Sequence, residues 1–192
     1  MIKSLMKRHK AIRFFMVIIV LLLQLLFLAW IIKENYEISN FIALIIVSGI
    51  AILLLFGYKY LDLHHDNYEY ESIAVVLWVP IGAVLCYLIS IHLKLGPIIG
   101  AGLVGVAASY LPLLNKQSNY LKQLPVPIYC GTFVGMSSVY ILPSLSFVGI
   151  TGLLAAVFLL LSKNIFLGIG GKLGTIAFAS VVVITFLNWM IS

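Results

Sequence analysis

FFMVIIVLLLQLLFLAWII, from Phe14 to Ile32, is apolar on every side except for Gln24. Wound as an α-helix, this stretch measures about 28 Å, close to the thickness of a bilayer's hydrocarbon core. A strand of a membrane barrel would alternate apolar and polar residues over roughly ten positions, and this stretch does not alternate. It reads as a transmembrane helix, and the rest of the chain has the same character. Of the 192 residues, 63% are hydrophobic and 9% charged, against about 45–50% and about 25% in a soluble domain. So little polar surface cannot cover a globule. The expected class is an all-α polytopic integral membrane protein forming a single transmembrane domain over residues 1–192.

About seven spans follow from hydropathy: Phe14–Ile32, Phe41–Tyr60, Ser72–His92, Pro97–Leu114, Val126–Leu142, Leu145–Leu161 and Leu173–Ile191. The fifth and sixth are marginal in length, and only the PSLS turn at Pro143–Ser146 joins them. If that pair forms a re-entrant hairpin, the count falls to five. The first span reads as an uncleaved helix rather than a signal peptide. Its apolar run is about 20 residues rather than 7–15, and no small-x-small cleavage site follows.

The basic residues orient the chain. With the N-terminus in the cytoplasm, Lys3, Lys7, Arg8, Lys10, Arg13, Lys59, Lys116, Lys122, Lys163 and Lys172 all lie inside. Only Lys33 and Lys94 fall outside, a division of ten against two. That bias predicts a cytoplasmic (inner) membrane protein with its N-terminus inside and, after seven spans, its C-terminus outside. It also accounts for the net charge of +6 without nucleic acid as a partner. Cys86 and Cys130 lie within spans, roughly 15 Å apart in depth, too far for a disulfide. They read as small apolar packing residues.

Composition changes along the chain. Residues 1–13 form a basic cytoplasmic terminus. Residues 14–71 hold two bulky leading helices and an acidic cytoplasmic loop. Residues 72–192 form a glycine-rich bundle without a single acidic residue, since all six acids lie between Glu34 and Glu71. PIIGAGLVGVAASY (Pro97–Tyr110) aligns without gaps on PIYCGTFVGMSSVY (Pro127–Tyr140), with Pro, Ile, Val, Gly and Tyr coinciding. The two spans run in opposite directions, so a true repeat would be of the inverted kind found in transporters.

Glycines cluster in the last four spans: Gly100, Gly102 and Gly105; Gly131 and Gly135; Gly149 and Gly152; Gly168, Gly170, Gly171 and Gly174. In lipid, small residues let helices approach, so a Gly-rich core of helices 4–7 is expected. GIGGKLGT, Gly168 to Thr175, is also a candidate anion site. There Gly170, Gly171 and Gly174 bare backbone N–H groups at a helix start, Lys172 adds a positive charge and Thr175 a hydroxyl. The spacing is not that of a phosphate-binding P-loop. The alternative reading makes Lys172 an interface anchor.

Thr132, Ser137 and Ser138 beside Gly131 and Gly135 are candidate pore-lining residues, unless their hydroxyls bond back to their own helix. Asp62, His64, His65, Asp66, Glu69 and Glu71 carry metal-binding and acid–base residue types, but their spacing fits no metal motif. His64, His65 and Asp66 read instead as a loop that a cytoplasmic protein partner would contact. No acidic residue lies inside a span, which argues against a proton- or sodium-coupled carrier. No cofactor is implied.

The first expectation is a small homo-oligomeric channel or facilitator for a small neutral or anionic solute. The second is a non-catalytic membrane subunit that anchors or signals to a cytoplasmic partner. A membrane enzyme acting on lipid-linked substrates is the least favoured.

Overall fold

The computed structural model describes residues 2–59, 70–162 and 171–191. Among these residues the chain is all-helical, without strands. The helices are α1 (Ile2–Glu37), α2 (Phe41–Lys59), α3 (Ile73–Val76), α4 (Trp78–Ile91), α5 (Pro97–Leu114), α6 (Asn119–Gln123), α7 (Pro125–Gly135), α8 (Leu145–Leu161) and α9 (Lys172–Ile191). Five helical stretches are long and apolar enough to cross a membrane: Phe14–Glu37, Phe41–Lys59, Ile73–Ile91, Pro97–Leu114 and Lys172–Met190. The expected first, second, third, fourth and seventh spans fall on these stretches.

The fifth expected span differs. Helix α7 stops at Gly135, and residues 136–144 turn without regular structure until α8 begins. Eleven residues of helix reach about 16 Å, half a hydrocarbon core. The sixth span, α8, is a helix of 17 residues, about 25 Å long. The early end of α7 has a local cause. The Ser138 hydroxyl accepts the Tyr140 N–H at 3.3 Å, and its carbonyl accepts Ile141 N and Leu142 N, both at 2.9 Å. These bonds draw the backbone into turns that compete with helix, and Pro143 cannot rejoin a helical ladder.

The chain divides into two units, one holding α1 and α2 and the other α3 to α9. In the first unit, Ser39 adopts a left-handed conformation (φ 55°) between the helices. The Asn40 side chain accepts the Ala43 N–H at 3.3 Å and starts α2. The Tyr58 hydroxyl donates to Gln24 Oε1 at 2.9 Å, tying the two helices inside their apolar stretches. A double-mutant cycle of Gln24→Leu and Tyr58→Phe is expected to give a coupling of about 0.6 kcal/mol, and no more than about 1.7. Denaturant titration in mixed micelles checks it, and zero coupling would show that the bond contributes nothing.

The second unit is built around α4, which packs against α5, α7 and α8; α9 packs against α7 and α8. Pro80 has no N–H to offer the Val76 carbonyl, and the helix breaks between α3 and α4 at Leu77. The glycines decide how close the neighbours come. A Cβ built on Gly131 would lie 2.0 Å from the Val79 carbonyl oxygen and 2.8 Å from Ala83 N. One on Gly82 would lie 2.4 Å from the Ile128 oxygen, one on Gly135 2.3 Å from the Ala83 oxygen, and one on Gly152 2.7 Å from Pro80 Cα. The backbones of α4, α7 and α8 therefore touch directly, the adhesive available where solvent offers no hydrophobic drive. Gly102, Gly149 and Gly174 behave differently, since a Cβ on any of them meets nothing within 4 Å. The sequence grouping placed the glycine-rich set after the third expected span. In the packing, that span (α3–α4) is the hub.

The glycine contacts also fix direction. Gly131 lies by Val79 and Ala83, and Gly135 by Ala83, Cys86 and Tyr87, so α7 runs parallel to α4. Gly152 lies by Pro80 and Ala83, and Glu71 N donates to the Leu160 carbonyl at 3.3 Å, so α8 runs antiparallel. The two aligned segments of the sequence differ in form: residues 97–110 are helical throughout, whereas 127–140 leave the helix after Gly135. Both cysteines are free and buried. Cys86 packs with Ala101, Val104 and Ile128, while Cys130 packs with Val79, Val134 and Leu142.

Candidate functional site

The residues singled out from the sequence do not converge on one place. His64, His65, Asp66 and Gly170 lie outside the described residues, as does Gly168. Thr132 is fully buried in α7. Its hydroxyl donates to the Tyr129 carbonyl of its own helix at 2.8 Å. Ser137 is half-buried and Ser138 exposed, and both belong to the turn that ends α7. The structure thus separates the three residues: one is enclosed among helices, and two shape a turn.

Three other helical hydroxyls of the second unit follow the same rule. Thr151 Oγ1 donates to the Phe147 carbonyl at 2.7 Å, Ser180 Oγ to Ile176 at 2.8 Å, and Thr185 Oγ1 to Val181 at 2.8 Å. Each is a bond back to the preceding helical turn, the usual way a hydroxyl is satisfied in lipid. Among the described residues, no buried side-chain polar atom lacks a partner. Thr132→Val is accordingly expected to keep wild-type stability within about 1 kcal/mol, because a local bond is lost together with the group that made it. Detergent-unfolding curves of the purified variant check this; a loss of several kcal/mol would assign the hydroxyl a different bond.

The GIGGKLGT segment is described from Gly171 onward. Gly171 is exposed and left-handed (φ +87°), a conformation that a side chain would resist. The Thr175 N–H donates to its carbonyl at 2.9 Å, closing the first turn of α9. Gly174 and Thr175 are half-buried on that turn. The Lys172 ammonium donates to the Ser162 carbonyl, at the residue that caps α8. A cation at this end satisfies a terminal carbonyl and opposes the negative end of the helix dipole. Cys130 Sγ reaches the Leu173 carbonyl at 3.7 Å, so α7, α8 and α9 meet here. The contacts around Lys172 thus tie the end of α8 to the start of α9. Among the described residues there is no group of three or more His, Cys, Asp or Glu placed to hold a metal ion.

Two polar clusters escaped the sequence reading. Trp78 Nε1 donates to the Tyr120 hydroxyl at 2.8 Å, and that hydroxyl donates to the Ala74 carbonyl at 3.2 Å. They pin the connection holding α6 to the break between α3 and α4. At the other end of α4, the Tyr87 hydroxyl donates to the Leu142 carbonyl at 3.4 Å. The only sequence signal for either was an aromatic residue near the end of an apolar run, which is also what an interfacial anchor looks like. No protein-family profile, curated protein or solved structure matches this chain.

Proposed function

We propose that this chain is a non-catalytic subunit of the cytoplasmic membrane that holds a partner protein through its cytoplasmic connections. One observation carries the reading. In the second unit the α4–α7–α8 contact is backbone against backbone, and Thr132, Thr151 and Ser180 are each bonded to their own helix. An interior of this kind supports a rigid scaffold rather than a solute path through one chain. The connection at 115–124, pinned by Trp78 and Tyr120, and the acidic stretch 61–71 are the surfaces assigned to the partner.

The same proposal includes seven crossings with the N-terminus inside. Helix α8 ends level with the start of α3, through the bond from Glu71 N to the Leu160 carbonyl, which supports a full crossing for α8. Helix α7 climbs beside α4 to the level of Tyr87, and residues 136–144 continue from there, with Leu142 fully buried. Non-helical backbone at membrane depth is tolerated where protein covers it, which supports a broken fifth span. The ten-to-two division of basic residues supports the orientation.

Two measurements test the reading. Proteoliposomes carrying the purified chain are expected to pass labelled anions and small neutral solutes no faster than empty liposomes. A co-purifying protein is expected to disappear when residues 61–71 are replaced by a Gly/Ser linker. Protein-dependent flux, together with no partner lost on that replacement, would overturn the proposal. The channel reading keeps one support: Gly102 and Gly149 have open space around them, where helices of a second copy would fit. In that case flux would run between copies and vanish in Gly102→Leu and Gly149→Leu variants.

A further inference from the structure

We propose that the first three turns of α1 bind the headgroups of anionic phospholipids in the leaflet they adjoin. This rests on α1 alone and stands apart from the scaffold reading. Helix α1 is continuous from Ile2 to Glu37, about 54 Å of rod against a hydrocarbon core of about 30 Å. Its membrane-spanning stretch begins at Phe14, so residues 2–13 carry the same helix out of the core and through the headgroup layer.

Those turns contain Lys3, Lys7, Arg8, Lys10 and Arg13. Steps of four and three put the positions of Lys3, Lys7 and Lys10 in one row along the helix, while Arg8 falls on the side of Leu5 and Ile12 and Arg13 on that of Ile2, so basic positions surround these turns. Retention of lysines on one side during insertion explains the sign of the charge. It does not say what charge these residues meet once the span is in place, and a basic helical segment adjoining a span suits an anionic membrane surface. No acidic residue precedes Glu34, and Glu34 lies at the far end of the same helix. Clusters of four to eight Lys or Arg beside a span are suited to anionic lipid, and the headgroup layer that these turns cross supplies that counter-charge.

The test uses the full chain and two probes, phosphatidylglycerol and phosphatidylcholine, with the retained lipids counted by native mass spectrometry. The wild type is expected to retain phosphatidylglycerol about tenfold over phosphatidylcholine at low ionic strength. That preference should fall toward unity as ammonium acetate rises from about 0.05 to about 0.5 M. The variant K3Q/K7Q/K10Q, which keeps Arg8, Arg13 and the other inner lysines, is expected to lose at least threefold of the preference with an unchanged circular dichroism melt. The proposal is overturned by a smaller loss in the variant, or by a wild-type preference that is indifferent to salt. A wild type with no preference also overturns it, the result expected if the acidic stretch 61–71 neutralises the helix instead. The salt series needs no substitution, so it decides the matter even if the variant melts differently.

Discussion

Gly131→Ala is expected to destabilise the second unit by about 3 kcal/mol or more, the upper end of the cost of overpacking a well-filled core. The added methyl would sit 2.0 Å from the Val79 carbonyl oxygen, 2.8 Å from Ala83 N and 3.0 Å from the Val79 carbonyl carbon. All three are backbone atoms, so no rotamer change can clear the space and α7 must move off α4 as a whole. That movement would also open the reciprocal contact at Gly82, which faces the Ile128 carbonyl. The matched control is Gly102→Ala, where the methyl meets nothing within 4 Å. There the better helix propensity of alanine should leave stability equal or raise it by up to about 1 kcal/mol. Equilibrium unfolding in mixed micelles, followed by circular dichroism, reads both variants. Equal stability for the two would mean that α4 and α7 do not meet through glycine.

Leu142→Ala is expected to cost about 2–4 kcal/mol, in the range for emptying a fully buried leucine site. Leu142 has 0% exposure although its backbone is not helical. It packs in the cluster of Val79, Tyr87, Val134 and Val148, and its carbonyl receives the Tyr87 hydroxyl. The side chain is the anchor by which 136–144 is held down, so its loss should free the segment as well as weaken the unit. Amide hydrogen exchange over 136–144 is expected to rise well before the exchange of α4 does. Tyr140 in the same segment is 96% exposed, and Tyr140→Ala should change stability by less than about 0.5 kcal/mol. If L142A exchanged and unfolded like the wild type, the segment would not be anchored from below.

Much of the membrane architecture was legible from hydropathy, because a long apolar helix has few alternatives in a bilayer. The errors have physical causes. The fifth span read as continuous because Gly135, Ser137 and Ser138 barely lower an apolar average. Their clustering ahead of Pro143 was the usable signal for a helix end. The glycine clusters were read as uniform, but within a helix a step of two residues turns a position to another side, and a step of three carries it about 4.5 Å along the axis. Gly100 and Gly152 meet backbone, whereas their neighbours Gly102 and Gly149 stand open. The role of α4 was missed for the same reason: one inward glycine, Gly82, counts for more than several that point away. For the site, composition could nominate Lys172 and Thr132, but hydrogen-bond partners come only with the fold. Both turned out to bond backbone carbonyls.

The notch between α4 and α7 also has a consequence for biogenesis. The two helices that fit most closely are not neighbours in the chain, since α5 and α6 separate them. As the chain enters the bilayer in order, α4 presents Gly82 and the Val79–Ala83 backbone before the surface shaped to fill that groove has been made. Until α7 is made, no other described part of the chain fills that place. A nascent chain that ends before Pro125 would therefore carry that groove without the helix that fills it.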